Sequence, residues 1–349
     1  MIRVLIAEDS PFVAAIMREA LREETEITVV GWAKNGQEAI DLRNSLNPDV
    51  ITMDLNMPVM SGLKAIKAIA STRPLPILVV SQMIESHDSE LAFEALRSGA
   101  VDIMGKPSGD RQKGLSEIKN ELISRIKVAA RIRPIHLIRK PPANPPKAKP
   151  VGKMALGRGA VVIGSSTGGP PALATILKGL PRNFLFPIAI VQHIAPGFVT
   201  GLSRWLGREV PFSVKVAANG ETLGAGNVYL APDNHHLEIG RDNEIILEDG
   251  PPVKGHRPAI DQLMESASHV YGRGAIGVLL TGMGSDGAKG LKKIREAGGK
   301  TIVQDEATSL VFGMPREAIL LGAAEIVSPL ERIAEEIVQA IPVEEGKIK

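Results

Sequence analysis

The first 106 residues alternate short, continuous apolar runs with amphipathic stretches. Continuous apolar runs are typical of strands that are buried on both faces of a parallel sheet. They predict strands at 2–7, 27–32, 49–53, 75–80 and 101–104. Apolar residues at helical spacing predict helices at 11–22, 36–45, 62–71, 88–97 and 112–130. Five such units predict an α/β fold, an N-terminal doubly wound (flavodoxin-like) five-stranded parallel sheet.

The α/β pattern returns at residue 159 and differs in its middle part. It predicts strands at 159–164, 187–192, 275–281 and 300–304, and helices at 170–179, 197–206, 258–271 and 286–297. Three short strands are predicted between them, at 227–231, 235–239 and 243–248, with a hairpin turn at Arg241-Asp242-Asn243. The C-terminal part is therefore predicted to be a larger α/β/α domain with a mostly parallel sheet and an antiparallel hairpin.

A stretch rich in Pro and Lys, residues 139–150, separates the two patterns. It has almost no large apolar side chain, so it cannot build a core and is typical of a semi-rigid, extended linker. Its basic charge could instead bind an acidic partner. The predicted organisation is a first domain at 1–125, a linker at 126–156 and a second domain at 157–349.

Composition narrows the functional classes. The formal net charge of the 349 residues is +2, which gives no basic field that would indicate nucleic-acid binding. Cys is absent, which excludes disulfides, thiolate metal sites and a cysteine nucleophile, and fits a reducing compartment. No apolar run approaches the roughly 20 residues that span a bilayer. We expect a cytoplasmic protein without direct membrane insertion, and a monomer, since no heptad pattern is present.

Acidic residues follow the strands of the first predicted sheet. The first strand ends at Glu8 and Asp9 and the third at Asp54, while Ser81 ends the fourth and Lys106 follows the fifth. Ligands bind beyond the carboxyl ends of the strands in such sheets. Clustered carboxylates repel one another unless a hard cation such as Mg²⁺ neutralises them. A lysine and a serine hydroxyl beside them could contact a phosphoryl group, although single acids at strand ends often only cap helices.

With these residues in place, the segment 1–125 resembles the response-regulator receiver domains. The stretches Asp54-Leu55-Asn56-Met57-Pro58 and Gly99-Ala100-Val101-Asp102 also fit. The resemblance implies that Asp54 accepts a phosphoryl group from a chemotaxis histidine kinase. It further implies that Glu8, Asp9 and Asp54 hold Mg²⁺, and that Ser81 and Lys106 contact the phosphoryl group. Ile103 stands where the family usually has the aromatic residue of its switch.

A Gly-rich turn opens the second domain. The predicted strand at 159–164 runs into Gly164-Ser165-Ser166-Thr167-Gly168, the pattern G-x-S-x-G before a helix. The glycines permit a tight turn that lifts Ser166 out of the sheet as a nucleophile. The following helix N-terminus supplies N–H groups for an oxyanion. Gly/Ser loops also bind phosphate or serve as plain turns, so the motif needs partner residues.

Two further strand ends supply those partners. His193 follows the strand at 187–192 and could act as the base, with His256 as the reserve choice. His235 and His236 are further candidates, and His269 is a poor one because it lies inside a predicted helix. Asp286, after the strand at 275–281, could orient His193. Backbone N–H groups such as those of Met283 and Thr167 could complete an oxyanion hole.

The loop from Gly282 to Gly287 also matches G-x-G-x-x-G, the dinucleotide-binding pattern. It follows a strand, opens a helix, and Asp305 stands near the position of a ribose contact. Asp286 counts against this interpretation, because its charge would oppose a pyrophosphate in the loop.

Residues 157–341 resemble the catalytic domain of the chemotaxis protein-glutamate methylesterases. The resemblance rests on Gly164–Pro170, Gln192-His193, Ala231-Pro232-Asp233, Gly250-Pro251-Pro252, His256-Arg257-Pro258, Leu280–Gly287 and Val311–Ala318. It implies that Ser166, His193 and Asp286 are the catalytic triad. Ser165 departs from the alanine that is common before the nucleophile.

This resemblance implies hydrolysis of glutamate γ-methyl esters, and deamidation of glutamines, on methyl-accepting chemotaxis receptors, with sensory adaptation as the outcome. No cofactor is implied for catalysis, and Mg²⁺ serves only the receiver domain. An unphosphorylated receiver would block the active site. Two other classes stay open: a receiver-linked nucleotide-binding oxidoreductase, and a non-catalytic signalling adaptor.

Overall fold

The computed structural model describes residues 1–81, 86–106, 115–132 and 159–341. The chain divides into two compact units, Met1–Lys140 and Pro141–Lys349. Most of the predicted linker lies outside the described residues. No helix in the described ranges is both long and apolar enough to cross a membrane.

The first unit contains one five-stranded sheet in the order β2-β1-β3-β4-β5, and all four strand pairs are parallel. Its strands are β1 (Ile2–Ala7), β2 (Ile27–Ala33), β3 (Val50–Met53), β4 (Ile77–Ser81) and β5 (Asp102–Gly105). Its helices are α1 (Pro11–Arg22), α2 (Gly36–Leu46), α3 (Gly62–Thr72), α4 (Ser86–Arg97) and α5 (Leu115–Ala129). Every residue of β3 and β4 is buried, as the continuous apolar runs predicted. The predicted doubly wound fold is confirmed.

The length of helix α5 differs from the predicted start of the linker. Its residues Leu122, Ile126 and Ala129 are buried, and Leu122 and Ile126 belong to the core that packs against β1 and β4. The chain then continues through a turn to Ile132, which is also buried. The linker start that was placed at residue 126 therefore falls inside a helix, because apolar residues at helical spacing continue past that point.

The second unit contains a seven-stranded parallel sheet in the order β14-β13-β12-β6-β7-β9-β8, and an antiparallel hairpin, β10-β11. Its strands are β6 (Ala160–Ser165), β7 (Ile188–Gln192), β8 (Ser213–Val216), β9 (Asn227–Leu230), β10 (His236–Ile239), β11 (Ile245–Glu248), β12 (Ala275–Leu279), β13 (Lys300–Gln304) and β14 (Ile326–Ser328). Its helices are α6 (Gly169–Gly179), α7 (Val199–Glu209), α8 (Ile260–Tyr271), α9 (Ala288–Glu296), α10 (Met314–Leu320) and α11 (Leu330–Ala340). The predicted α/β/α fold with its hairpin is confirmed.

The two edges of this sheet were not predicted. Strand β8 has four partly exposed residues and β14 has three residues, so neither carries a long apolar run. Of the three short strands predicted in the middle, β9 pairs in parallel with β7 and β8, and only β10 and β11 form the hairpin. The central strands β6, β7 and β12 are fully buried, and their carboxyl ends lie side by side in the sheet order.

Candidate active site and acidic pocket

In the first unit, strand ends bring three carboxylates and a lysine together. Carboxylate oxygens of Glu8, Asp9 and Asp54 all lie within 4.8 Å of one another. Lys106 Nζ lies 2.9 Å from Glu8 Oε1 and 2.9 Å from Asp54 Oδ2. Glu8 and Asp54 are buried, whereas Asp9 is exposed. These residues form what we call the acidic pocket.

The crowded charged groups of the acidic pocket shift one another's pKa values. Burial raises the pKa of both Glu8 and Asp54, and Lys106 only partly opposes this. Burial would lower the pKa of Lys106, but its contacts with Asp54 and Glu8 raise it above its ordinary value. Three clustered carboxyl groups with one ammonium group leave excess negative charge, and hard oxygen ligands of this kind fit a divalent cation such as Mg²⁺.

Two more predicted residues lie at this sheet edge. Ser81 is buried at the end of β4, and its carbonyl accepts a hydrogen bond from the Lys106 amide at 2.9 Å. Ile103 is 1 % exposed in β5, paired with Val79 of β4. An aliphatic side chain that is packed inside the unit cannot perform the outward rotation of an aromatic switch residue.

In the second unit, the serine loop joins β6 to α6. Ser166 is partly exposed, and its amide donates to the Thr281 carbonyl at 3.0 Å. Gly168 caps α6 with φ 79°, a left-handed conformation that favours glycine. A Cβ atom on Gly282 would lie only 2.7 Å from Ser166 Cβ, so only glycine permits the loop after β12 to approach Ser166 this closely.

His193 and Asp286 meet at the same edge. His193 Nε2 lies 2.9 Å from Asp286 Oδ2, and both side chains are nearly buried. Both ring nitrogens of His193 are buried, and in the part of the chain that the structure describes neither has a partner in full hydrogen-bond geometry, so the Asp286 contact of Nε2 is one of distance and charge. The His193 amide donates to the Ser165 carbonyl at 2.9 Å, which ties the start of the histidine loop to the serine loop.

Asp286 is held as a charged group. Its Oδ2 accepts from the Ile260 amide at 2.7 Å, and its Oδ1 accepts from the amides of Asp261 at 3.1 Å and Gly287 at 3.0 Å. Ile260 and Asp261 begin α8, so the positive end of that helix faces the carboxylate. Burial would raise the pKa of Asp286, but His193 and these amides lower it to about 2.

This arrangement counts against the dinucleotide interpretation of the Gly282–Gly287 loop. The amide of Gly287, at the start of α9, donates a hydrogen bond to the carboxylate of Asp286. A pyrophosphate needs such amides for itself and would meet a buried negative charge there. Asp305 instead caps its own loop, accepting from the amide and hydroxyl of Thr308.

Gln192 lies in the site, although its sequence motif with His193 predicted no role for it. Its Nε2 donates to the carbonyls of Ser166 at 2.8 Å and His193 at 2.9 Å. Its Oε1 accepts from the Ser165 hydroxyl at 2.6 Å. One buried amide thus connects the serine loop to the histidine loop, and the two carbonyl acceptors together with the Ser165 hydroxyl fix which way the amide points. In the sequence, only its position directly before His193 indicated that it belongs to the site.

The reserve histidine lies beside His193 as well. The rings of His193 and His256 stack with centroids 3.9 Å apart and an angle of 10°. His256 ends a tight turn in which the amide and carbonyl of Val253 exchange hydrogen bonds with those of His256. The stack makes His256 a neighbour of His193, the histidine that contacts Asp286.

The remaining histidines have other contacts. His236 is buried between the amide of Ala259 and the carbonyl of Pro251. His235 Nε2 lies 3.2 Å from Asp249 Oδ1, and His269 is exposed on α8. Of the two oxyanion candidates, Thr167 is buried, with its carbonyl accepting from the Thr281 hydroxyl, whereas Met283 is 48 % exposed.

Comparisons with known proteins match both units. The CheB methylesterase family matches residues 161–337, and the response regulator receiver domain family matches residues 4–119. A protein-glutamate methylesterase/protein-glutamine glutaminase of Pyrococcus abyssi is 39 % identical over 350 residues, which cover 99 % of this chain and 95 % of that protein. Its counterpart number 4 of Geobacter metallireducens is 41 % identical over 336 residues, 95 % of this chain and 97 % of that protein. The crystal structure of the Thermotoga maritima CheB methylesterase catalytic domain is 39 % identical and superposes with a TM-score of 0.52, covering 54 % of this chain and all of that one.

Proposed function

Since the chain belongs to the CheB methylesterase family and carries a receiver domain, we propose that it is a phosphorylation-controlled serine esterase. Its substrates are glutamate γ-methyl esters on methyl-accepting chemotaxis receptors, and it also deamidates glutamines there. The names of its relatives support both reactions. The observation that carries the proposal is the 2.9 Å contact between His193 and Asp286 at the sheet edge of the Ser166 loop.

Ser166 is the proposed nucleophile. Because Asp286 faces His193 Nε2, that nitrogen carries the proton and Nδ1 is the base. Nδ1 takes the proton of the Ser166 hydroxyl while Oγ forms a bond to the ester carbonyl carbon. The tetrahedral intermediate collapses when the bond to the methoxy oxygen breaks, and the leaving group takes the proton from His193 as methanol. Asp286 stays ionised and stabilises the imidazolium that forms between these steps.

Water completes the cycle. It gives a proton to His193 and its oxygen attacks the acyl carbon, and the bond to Ser166 Oγ breaks as Oγ regains the proton. The products are a glutamate carboxylate and methanol, or ammonia when the substrate is glutamine. Backbone amides of Thr167 and Met283 are the proposed donors to the oxyanion. This cycle uses no cofactor.

In the receiver domain, Asp54 is the proposed acceptor of a phosphoryl group from a chemotaxis histidine kinase. Glu8, Asp9 and Asp54 would hold Mg²⁺, which neutralises the crowded carboxylates. Lys106, 2.9 Å from Asp54, and Ser81 would contact the phosphoryl group. Because Ile103 is buried, the regulatory change must proceed without an aromatic rotamer switch. Phosphorylation would relieve inhibition of the esterase.

The chemistry is tested by methanol release from methylated receptor, comparing wild type with Ser166→Ala and with Ser165→Ala as the matched neighbour. We expect Ser166→Ala to abolish release and Ser165→Ala to retain most of it. Equal losses in both would contradict the assignment. Undiminished release in Ser166→Ala would reject Ser166 as the nucleophile. Cellular function that Ser166→Ala leaves intact would favour the adaptor class, and tight NAD binding would favour the nucleotide-binding class.

The regulation is tested with Mg²⁺ and a small phosphodonor. Methanol release by the wild type should rise with the donor, and Asp54→Asn should abolish the rise while retaining the basal rate. A donor effect that persists in Asp54→Asn would reject Asp54 as the acceptor.

A further inference from the structure

Helix α9 begins two residues after Asp286 and presents a lysine-rich face. Ala288, Gly290, Leu291 and Ile294 are buried on its inner side. Lys289 and Lys293 are exposed and Lys292 is partly exposed. Positions i, i+3 and i+4 are neighbours on a helix surface, so the three lysines form one continuous patch. We call Lys289, Lys292 and Lys293 the basic face.

Lys289 places a cation in the first turn of α9. The N-terminal end of a helix carries partial positive charge, which disfavours a cation in the first turn. Helices α6, α7 and α9 of this unit have no acidic residue in that turn, and α9 has Lys289 there. Lys289 also repels Lys292 and Lys293, which lie three and four residues further along the helix.

The Asp286 carboxylate, which accepts from the Gly287 amide, faces the start of α9, but the lysines themselves have few partners in the described part of the chain. Lys289 and Lys292 form no ion pair among the described residues, and Lys293 has only Glu296, at 3.9 Å. Other lysines of the same unit are closely paired, such as Lys254 with Asp261 and Lys300 with Glu325. Arg295, on the same helix, donates to the carbonyls of Gly322 and Ala324 and so has a structural role.

The basic face begins close in sequence to the serine site. Lys289 follows Asp286 by three residues, so their Cα atoms are at most about 11 Å apart. The loop before α9 also carries Gly282, where a Cβ atom would lie 2.7 Å from Ser166 Cβ, so we expect Lys289 to face a surface around a substrate side chain at Ser166. A cationic patch at that distance suits a partner with anionic groups near the reacting residue.

We propose that the basic face binds the acidic protein surface that surrounds the reacting glutamyl side chain. The inference rests on the proposed function, because ester hydrolysis converts neutral glutamyl esters into carboxylates on one protein region. The flanking carboxylates of that region would pair with the lysines. Such pairing steers association and orients the substrate, and it relieves the repulsion within α9.

The test uses the full chain with Lys289→Glu and Lys292→Glu together. The matched control is Arg182→Glu with Arg273→Glu, which changes the net charge equally. Both arginines are exposed and lie in connections at the opposite edge of the sheet, before β7 and β12. Each chain also carries Ser166→Ala, so that binding of a receptor fragment is measured without turnover. Unfolding temperatures report that each variant is folded.

We expect the lysine variant to bind the fragment about tenfold more weakly, as two surface charge pairs allow. The control should change affinity less than twofold. Raising salt from ~0.05 M to ~0.5 M should weaken binding of the fragment more for the parent chain than for the lysine variant. The lysine variant should unfold at an equal or higher temperature, because acidic side chains suit the first turns of a helix.

Equal affinities in the lysine variant and its control, or a parent chain that does not bind the fragment, would overturn the inference. Methanol release by the chain with Ser166 intact is measured separately. Its absence would count against the proposed esterase, while the binding comparison still decides the basic face.

Discussion

The acidic pocket and the serine site both lie at the carboxyl edge of a buried parallel sheet, yet their carboxylates differ. Glu8 and Asp54 share one lysine, and burial raises the pKa of each. Asp286 accepts three backbone hydrogen bonds and contacts His193, and its pKa falls to about 2. The first arrangement leaves negative charge that suits a cation, whereas the second already has its charge stabilised by the fold. The first edge therefore suits the phosphoryl acceptor that we propose, and the second suits the proposed catalytic carboxylate.

The largest effect is expected from Asp286→Asn. The amide cannot stabilise the imidazolium and offers its own N–H groups to Nε2, so kcat should fall about 10⁴-fold, as for the equivalent change in the well-known serine protease triad. In the wild type, the pKa of about 2 keeps Asp286 charged throughout the assay range, so it should add no acidic limb to the pH–rate profile. Methanol release measured against pH checks both expectations. A wild-type limb that vanishes in Asp286→Asn would contradict the low pKa.

Gln192→Glu tests whether the serine site is fixed by its surroundings in advance. A carboxylate there would face the carbonyls of Ser166 and His193, which now accept from Nε2. We expect kcat to fall about 100-fold through misplacement of the two loops, with a smaller change in KM. Ser165→Ala is the control, because it removes the hydroxyl that orients the amide but leaves both donated bonds. Similar kcat values for both variants would show that the bridge has no effect on catalysis.

Asp→Asn at the two sites should change stability in opposite directions. The raised pKa of Asp54 means that its stabilising contribution exists below the unfolded pKa and is lost as pH rises through the folded pKa. At neutral pH without divalent cations, Asp54→Asn should therefore stabilise the first unit. The lowered pKa of Asp286 contributes stability above about pH 4 that is lost as pH falls towards 2, so Asp286→Asn should cost roughly 2 kcal/mol.

Thermal unfolding of the full chain at neutral pH measures whether each of the two substitutions stabilises or destabilises the protein. Mg²⁺ should raise the melting temperature of the wild type, and Asp54→Asn should reduce that increase. Destabilisation by both substitutions would remove the electrostatic contrast between the two sites.

The smallest effect is expected at His256. Its ring stacks on His193, and stacking of aromatic rings contributes about 0.5–1.5 kcal/mol. His256→Ala should lower kcat about threefold to tenfold, while His256→Phe keeps a ring in place and should retain more activity. If the Phe variant were as slow as the Ala variant, the polar atoms of His256 would be required, and a role limited to stacking would be wrong.

The sequence was sufficient to predict the two α/β sheets, because buried parallel strands are continuous apolar runs. It also placed Ser166, His193 and Asp286 after three separate strands, β6, β7 and β12, which are neighbours in the sheet. The edge strands β8 and β14 escaped prediction because they are short and partly exposed.

The contacts that complete the site depend on packing between distant residues. The turn that ends at His256 has no periodic pattern, so only the folded chain shows that its ring covers His193. The direction of the Gln192 amide likewise depends on the carbonyls of Ser166 and His193 and on the Ser165 hydroxyl across the β6–β7 pair. That His193 uses Nε2 towards Asp286 is a matter of ring orientation, which sequence does not specify.

The central claim is that Ser166 is the activated nucleophile, and covalent labelling tests it most directly. The full chain is treated with a fluorophosphonate, and the modified residue is identified by peptide mass spectrometry in wild type, Ser165→Ala and Ser166→Ala. We predict one modification at Ser166 in the wild type and in Ser165→Ala, and none in Ser166→Ala. Modification at Ser165, or undiminished labelling of Ser166→Ala, would contradict the account.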